Sequence, residues 1–210
     1  MSSAPDPLRA LLVATRNRSK AVELESFVTK IGLRVITLDD IDVPRSHRED
    51  NLEQHATFEA NAVAKARFYH VASGGLPTVS DDSGLEVEAL GGEPGVHSRR
   101  WAGASGSDAE VSAANNSALL RRLLGSGDRA ARFTCVVAYV SARRELIHRG
   151  EVRGRIAQAL RGTHGFGYDP LFEAAELSWR TFGEVTAVEK ARVSHRARAM
   201  ERLTASLESR

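Results

Sequence analysis

The chain contains very little cysteine, with Cys135 as the one example in 210 residues, so no intramolecular disulfide can form. This composition is typical of a reducing compartment and predicts a cytoplasmic protein. Residues 1–7 are polar and lack the apolar core of a signal peptide. No apolar run approaches the length of a membrane span, so we expect no membrane partner.

A large excess of charge of either sign is also missing. The net charge is +2, and this balance gives no reason to expect nucleic acid as a partner. Hydrophobic residues make up 42% and charged residues 27% of the chain, as in ordinary soluble globular proteins. A length of 210 residues predicts a single domain over residues 1–210, divided into two lobes.

Hydrophobic periodicity predicts helices that alternate with strands in the first half of the chain. The predicted strands cover residues 8–14, 35–38, 76–79, 85–89, 131–140 and 146–156. The predicted helices cover residues 21–31, 56–71 and 108–124 and a last segment that begins near Ser194. The last two long strands form a hairpin in this interpretation, so the pattern predicts an α/β fold with a mixed sheet.

The segment Ser80-Asp81-Asp82-Ser83-Gly84 is the most informative motif, and we predict that it forms a turn at the end of a strand. Carboxylates at such a point can hold a hard divalent cation or polarise a water molecule. Neighbouring side chains on an extended strand face opposite sides, so one aspartate of the pair should face the site and the other support it. A polar turn without chemistry is the alternative interpretation.

A cationic segment, Thr15-Arg16-Asn17-Arg18-Ser19-Lys20, lies between the first strand and the first helix. Positive side chains are unfavourable at the positive end of a helix dipole unless an anion lies among them, so the segment indicates a phosphate site. The chain has no P-loop motif. The alternative is a solvated helix start that is capped by Asn17 or Ser19.

Two further segments suit a nucleoside. Residues 162–170 are rich in glycine and carry Phe166 and Tyr168, whose rings could stack on a base, although both could equally belong to the core. Lys190 and the run Ser194-His195-Arg196 add cations at a helix start, where a solvated basic face is the alternative. Together with the acidic and cationic segments, they suit a nucleoside triphosphate with a divalent metal.

These motifs, taken together and in this order, resemble the inosine triphosphate pyrophosphatase family. The matching stretches span nearly the whole chain and are residues 15–20, 58–62 with Lys65, 80–85, 91–96, 166–172, and Lys190 with residues 194–196. The resemblance implies an elongated mixed β-sheet flanked by helices, with two lobes and a central nucleotide-binding cleft. It also implies a homodimer and Mg²⁺-dependent hydrolysis of ITP, dITP or XTP to the monophosphate and pyrophosphate.

The resemblance also implies roles for individual residues. Asp82 would be the general base and a metal ligand, and Glu53 the second metal ligand. The residues implied for the phosphates are Thr15, Arg16, Asn17, Arg18, Ser19, Lys20 and Ser83. The residues implied for the nucleoside are Phe166, Gly167, Tyr168, Asp169, Lys190, His195 and Arg196. Arg16 departs from the family pattern, which usually has glycine there.

Base selection has a physical basis in this interpretation. Hypoxanthine and xanthine present a 6-oxo acceptor, whereas adenine presents a 6-amino donor, so a donor such as Arg196 or a backbone N–H group would favour the oxo purines. Two other functions remain open: a Maf-like pyrophosphatase for other modified nucleotides, and a non-catalytic nucleotide-binding or RNA-binding module.

Overall fold

The computed structural model describes residues 10–41, 43, 49 and 52–209. Its strands are β1 Ala10–Val13, β2 Arg34–Thr37, β3 Thr78–Val87, β4 Ala130–Val140, β5 Glu145–Ile156, β6 Phe172–Ala174 and β7 Arg180–Thr181. Its α-helices are α1 Arg18–Lys30, α2 Phe58–Ala72, α3 Asp108–Arg122, α4 Ala187–Ala191 and α5 His195–Glu208. Within this part of the chain, no helix is both long enough and apolar enough to cross a membrane.

The seven strands form one mixed sheet in the order β2-β1-β3-β4-β5-β6-β7. Strand β1 pairs in parallel with both β2 and β3, whereas β6 pairs antiparallel with β5 and β7. The α/β class and the mixed sheet predicted from the sequence are therefore confirmed. Parallel strands bring their carboxyl ends to one edge, which is where α/β proteins place their functional loops.

Apart from β3, the long elements agree with the sequence-based prediction to within a few residues, because their hydrophobic periodicity is strong. Helix α3 also carries a capping box, in which the side chains and backbone N–H groups of Ser107 and Glu110 bond reciprocally. The predicted first strand included residues 8 and 9, which lie outside the described residues. Strands β6 and β7 and helix α4 were not predicted, since they are too short to show a period.

The predicted turn at residues 80–84 is wrong. Strand β3 runs without interruption from Thr78 to Val87, and Asp81 and Asp82 lie in its middle. Aspartate and glycine favour turns when considered locally. In this strand the aspartates find charged and hydrogen-bonding partners on neighbouring helices, and these contacts offset the cost of burying them in extended backbone.

The chain divides into two compact units. The first unit contains Met1–Asp82, Cys135–Gly150 and Arg196–Arg210, and the second contains Ser83–Thr134 and Glu151–His195. The core of the first unit includes Leu24, Val137 and Met200, all buried. The core of the second unit includes aromatic rings, with Phe133 and Phe172 at a ring-centroid distance of 4.6 Å. The single domain predicted from chain length stays a prediction.

Candidate active site

Asp82 is a buried carboxylate in the first unit, with 6% of its surface exposed. Its Oδ2 accepts a hydrogen bond of 2.9 Å from the Asn61 side chain, and its Oδ1 lies 3.7 Å from the Lys65 ammonium. The same ammonium donates to Glu53 at 2.6 Å. Lys65 therefore joins the two carboxylates that the sequence predicts as metal ligands.

Asp81 has a different set of partners, as the alternation of side chains along a strand predicts. Its Oδ2 lies 3.1 Å from the Lys20 ammonium and 3.2 Å from the Arg196 guanidinium. Arg196 also pairs with Glu23 of helix α1. Asp81 and Arg196 are each 1% exposed, so the centre of this charge network is fully buried, whereas Lys20 and Glu23 at its ends are partly exposed.

The two neighbouring aspartates have opposite pKa shifts. Burial raises the pKa of Asp82 above its usual value, and the nearby charges of Lys65 and Lys20 only partly counteract it. Burial alone would also raise the pKa of Asp81, but the charges of Lys20 and Arg196 hold it well below its usual range. Asp82 therefore has the greater proton affinity, as a general base requires, whereas Asp81 stays ionised.

Helix α2 supplies the partners of Asp82 from a single face. Asn61, Lys65 and Tyr69 follow one another at intervals of four residues, a spacing that places side chains on the same side of a helix. The helix begins after Thr57, whose side chain accepts the Ala60 N–H at 3.1 Å. Asn61 and Lys65 were absent from the predicted site, although the four-residue spacing within the predicted helix could have revealed them.

The predicted phosphate loop, residues 15–20, contains the N-terminus of α1. Asn17 is the N-cap, and its Oδ1 accepts the Lys20 N–H at 2.9 Å. The Thr15 hydroxyl accepts the Asn17 N–H at 3.2 Å. Arg18 and Ser19 are exposed in the first helical turn, which contains no acidic residue. The positive end of the helix therefore has no acidic side chain in its first turn to neutralise it. This arrangement suits an anion.

Arg16 differs from the other residues of this loop, because its guanidinium pairs with protein acceptors. It donates to the Glu49 carboxylate at 3.1 and 3.2 Å and to the Val43 carbonyl at 2.7 Å. The sequence predicted this side chain as a phosphate ligand. In the structure it pairs with Glu49, and phosphate binding by Arg16 stays a prediction.

Metal binding can be judged from the donor chemistry. Among residues 10–41, 43, 49 and 52–209, no group of three or more histidine, cysteine, aspartate or glutamate side chains is arranged to hold a metal ion. Asp82 and Glu53 nevertheless share the Lys65 ammonium, so two carboxylates converge on one cation. Mg²⁺ commonly binds through one or two carboxylates together with substrate phosphates, and this donor set fits that pattern.

The second unit holds a separate cluster built on Lys190 and Asp169, which are 4% and 2% exposed. Their side chains form an ion pair of 2.6 Å, and Asp169 also accepts the Phe166 N–H at 2.8 Å. The Lys190 ammonium lies over the rings of Phe166 and Phe182, 4.7 and 5.5 Å from their centroids. Asp169 thus fixes both the cation and the loop that carries Phe166.

The remaining predicted nucleoside residues have mixed surroundings. Tyr168 belongs to the core of the second unit, and its hydroxyl donates to the Ser98 carbonyl at 2.9 Å. His195 stacks on Phe133 with a centroid distance of 4.7 Å and an interplanar angle of 12°. Asn116, which was not predicted, donates to the Gly167 carbonyl at 3.0 Å.

Two predicted residues remain, Ser83 and Arg196. Ser83 follows Asp82 directly in β3 and is half-buried. Arg196 opens helix α5, as predicted, but its guanidinium joins the Asp81 network of the first unit. From the sequence alone, the position of Arg196 in the first helical turn and its charge fit a base-binding role and an internal ion pair equally well.

The mixed sheet and the buried carboxylate centre define an α/β protein with a candidate catalytic site. A model of the Ham1 family matches residues 11–206, and the chain belongs to this family. The family resemblance predicted from the motifs is thereby confirmed.

Individual relatives agree with this assignment. The chain is 46% identical over 204 residues to a protein named dITP/XTP pyrophosphatase from Mycolicibacterium paratuberculosis, covering 95% of this chain and 96% of the relative. A protein of the same name from Aromatoleum aromaticum is 46% identical over 200 residues, covering 94% and 96%. The solved structure of a HAM1 protein from Coxiella burnetii has a TM-score of 0.82 at 34% identity, covering 96% of this chain and 99% of that one.

Proposed function

We propose that this protein hydrolyses non-standard purine nucleoside triphosphates, namely dITP, XTP and ITP, to the monophosphate and pyrophosphate. Such an enzyme removes these nucleotides from the cellular pool. The observation that carries the proposal is Asp82, a buried carboxylate with a raised pKa that Asn61 and Lys65 hold in place. The names of the relatives supply the substrate class.

Asp82 acts as the general base in this proposal. It accepts a proton from the water molecule that attacks the α-phosphate, and its raised pKa favours that transfer at neutral pH. The Asn61 amide orients the carboxylate through Oδ2, which leaves Oδ1 on the side of Lys65. The Asp82 and Glu53 carboxylates hold the pKa of Lys65 above its usual value against the effect of burial, so its charge is permanent.

The phosphate loop binds the triphosphate. The free N–H groups and positive dipole end of α1 attract the phosphate oxygens, and Lys20 adds a fixed charge. Asp81 holds the Lys20 ammonium at 3.1 Å, so the cation is oriented before substrate arrives. Thr15, Asn17, Arg18, Ser19 and Ser83 complete the phosphate-binding set of the proposal.

Mg²⁺ is the cofactor in this proposal, with Asp82 and Glu53 as its protein ligands. When bound, the ion neutralises charge on the phosphate oxygens. The Lys65 ammonium, which already joins both carboxylates, keeps them close together and favours their ionised forms. Lys65 also lowers the pKa of Glu53, which keeps that ligand ionised.

The nucleoside is bound by the cluster of the second unit. Phe166 offers a half-buried ring for stacking, since the ring of Tyr168 belongs to the core. Lys190 lies over Phe166 and is held by Asp169, so the cation is fixed beside that ring. Gly167 and His195 belong to the same proposed set. The proposed enzyme is a cytoplasmic homodimer.

A substrate panel tests this function. Purified protein is incubated with dITP, XTP, ITP, dATP and dGTP, with Mg²⁺ and with EDTA, and the products are separated into pyrophosphate and orthophosphate. We expect pyrophosphate and monophosphate from the first three substrates with Mg²⁺ alone. Turnover of a different modified nucleotide would favour a Maf-like pyrophosphatase, and binding without turnover would favour a nucleotide-binding module.

The loop of Phe166 provides a second test, because Gly165 has a φ of +75° and leaves no room for a side chain. A Cβ at this position would lie 2.1 Å from the Asp169 Oδ2 that holds Lys190. We expect Gly165→Ala to raise the KM for ITP roughly tenfold or more by displacing Asp169. The matched control is Gly103→Ala, which has a similar φ of +68° but open space around the Cβ. An equal KM effect in both variants would count against a role for this loop.

A further inference from the structure

The Arg16 guanidinium links the phosphate loop to Glu49, which precedes Glu53 by four residues. It forms a bidentate salt bridge with Glu49, with distances of 3.2 Å from Nε to Oε2 and 3.1 Å from Nη2 to Oε1. The same Nη2 donates to the Val43 carbonyl at 2.7 Å. Planar pairs of this kind fix geometry as well as charge.

Glu49 has a second connection, to helix α2. The Tyr69 hydroxyl donates to Glu49 Oε2 at 2.7 Å, and the Glu49 side chain is only 10% exposed. Glu49 also raises the pKa of Arg16 through its hydrogen bonds. The Glu49 carboxylate therefore accepts hydrogen bonds from both Arg16 and Tyr69, and the two donors share Oε2.

These contacts complete a path within the first unit. Arg16 directly precedes Asn17, the N-cap of α1. Tyr69 lies on the same face of α2 as Lys65, whose ammonium contacts Glu53. Glu49 and Glu53 are four residues apart in the chain, so both ends of this short segment are tied to the same helix face.

We propose that Arg16 is a positioning residue, which sets the phosphate loop relative to Glu53 through Glu49 and Tyr69. This inference rests on the proposed function and deepens it. The triphosphate is held by the loop. The second carboxylate of the site, Glu53, is held by Lys65, on the same face of α2 that the Arg16 clamp contacts through Tyr69. Arg16 thus acts on catalysis through Glu49, without contact to the phosphates.

The experiment separates this role from direct phosphate binding. Arg16→Met, Arg16→Lys, Glu49→Met and the double variant Arg16→Met/Glu49→Met are compared by kcat and KM for ITP. We expect kcat/KM for ITP to decrease roughly ten- to a hundred-fold in each variant, since small displacements of reacting groups have effects of this size. The double variant should be no worse than either single variant, because all three break one link.

Direct phosphate binding predicts a different pattern. Arg16→Lys would then keep most of the affinity, and Glu49→Met would leave KM unchanged or lower it by releasing the guanidinium. Wild-type kcat/KM in Glu49→Met would therefore overturn the proposal. A matched control is Arg67→Met. Arg67 lies on an exposed part of α2, and the substitution breaks a similar bidentate salt bridge, with Glu145. We expect this control to keep kcat/KM within about twofold of wild type.

A measurement without substrate keeps this inference separate from the proposed function. Amide hydrogen exchange at residues 52–57 should be faster in Arg16→Met and Glu49→Met than in wild type and Arg67→Met, because the link from Arg16 through Glu49 to α2 is broken. Unchanged exchange would overturn the inference even in an active enzyme. If wild type hydrolyses none of the substrates, the proposed function fails, and faster exchange would still support the Arg16 clamp itself.

Discussion

Asp82→Asn is expected to lower kcat for ITP by about 10²–10⁴-fold, the range in which general base catalysis contributes. The amide has no site for the proton and is a poorer Mg²⁺ ligand. Its shape is unchanged, and its oxygen can still accept the hydrogen bond from Asn61. The measurement is single-substrate kinetics of the variant at saturating ITP.

The same substitution should leave the melting temperature equal to or above that of wild type. Burial raises the pKa of Asp82, so at neutral pH the ionised side chain is disfavoured in the folded protein. Replacing it with a neutral group removes that cost, as at many functional sites. Loss of turnover without loss of stability is therefore the signature of a catalytic carboxylate.

The neighbouring residue provides the control. Asp81 has a lowered pKa, because Lys20 and Arg196 stabilise its ionised form in spite of burial. Asp81→Asn should therefore lower the melting temperature, whereas Asp82→Asn does not. Hydrolysis of ITP at the wild-type rate by Asp82→Asn would remove this residue from the mechanism. Equal destabilisation by both substitutions would show that the two carboxylates do not differ as described.

Arg196→Met is expected to have the largest effect on stability. Arg196 is 1% exposed and joins Asp81 and Glu23, so the substitution removes one of the two cations that pair with the buried Asp81, together with the ion pair to Glu23. Breaking a buried ion pair in this way costs about 3–5 kcal/mol. For a domain of this size that corresponds to a decrease of about 6–20 °C in melting temperature. Thermal unfolding at pH 7 measures it, with Arg67→Met, an exposed arginine in an ion pair with Glu145, as the control.

The destabilisation should depend on pH in a defined direction. An aspartate with a lowered folded-state pKa contributes stability that is fully present above its unfolded value of about 3.9 and is lost as the pH falls below it. Asp81 is such a group, and Arg196 is one of the two cations responsible. The difference in stability between wild type and Arg196→Met should therefore shrink below about pH 4. A difference that stays constant down to pH 2 would assign the effect to packing.

The sequence also predicts that Arg196 reads the 6-oxo group of the base, and this remains a prediction. The kcat/KM ratio of ITP to ATP in Arg196→Met tests it, provided that the variant is assayed below its melting temperature. A smaller kcat/KM ratio of ITP to ATP with a nearly unchanged melting temperature would support contact between Arg196 and the base, rather than a purely structural role in the buried network. If the kcat/KM ratio is unchanged and the melting temperature falls strongly, base selection would be assigned to the loop around Phe166.

The sequence by itself determined the fold class and the family, and it predicts the residue types of the site. Hydrophobic periodicity was sufficient to predict most of the long elements, and the order of the motifs was sufficient to predict the family. Both can be read directly from the chain. It also separated the roles of Asp81 and Asp82, since neighbouring side chains on an extended strand face opposite sides. The error at residues 80–84 arose because turn propensity is local, whereas the partners that keep these aspartates in a strand come from α1, α2 and α5.

The tertiary structure alone decided which charges meet. Arg16 and Arg196 both looked like ligand-binding cations in the sequence, and each pairs with protein carboxylates that lie far away along the chain. Lys65 joins Glu53 to Asp82, a contact that depends on one face of α2 lying against β3. The energy of a charge depends on its distance from other charges and on its burial, and both are set by packing. Composition and spacing can therefore propose the members of such a site, but not their pairing.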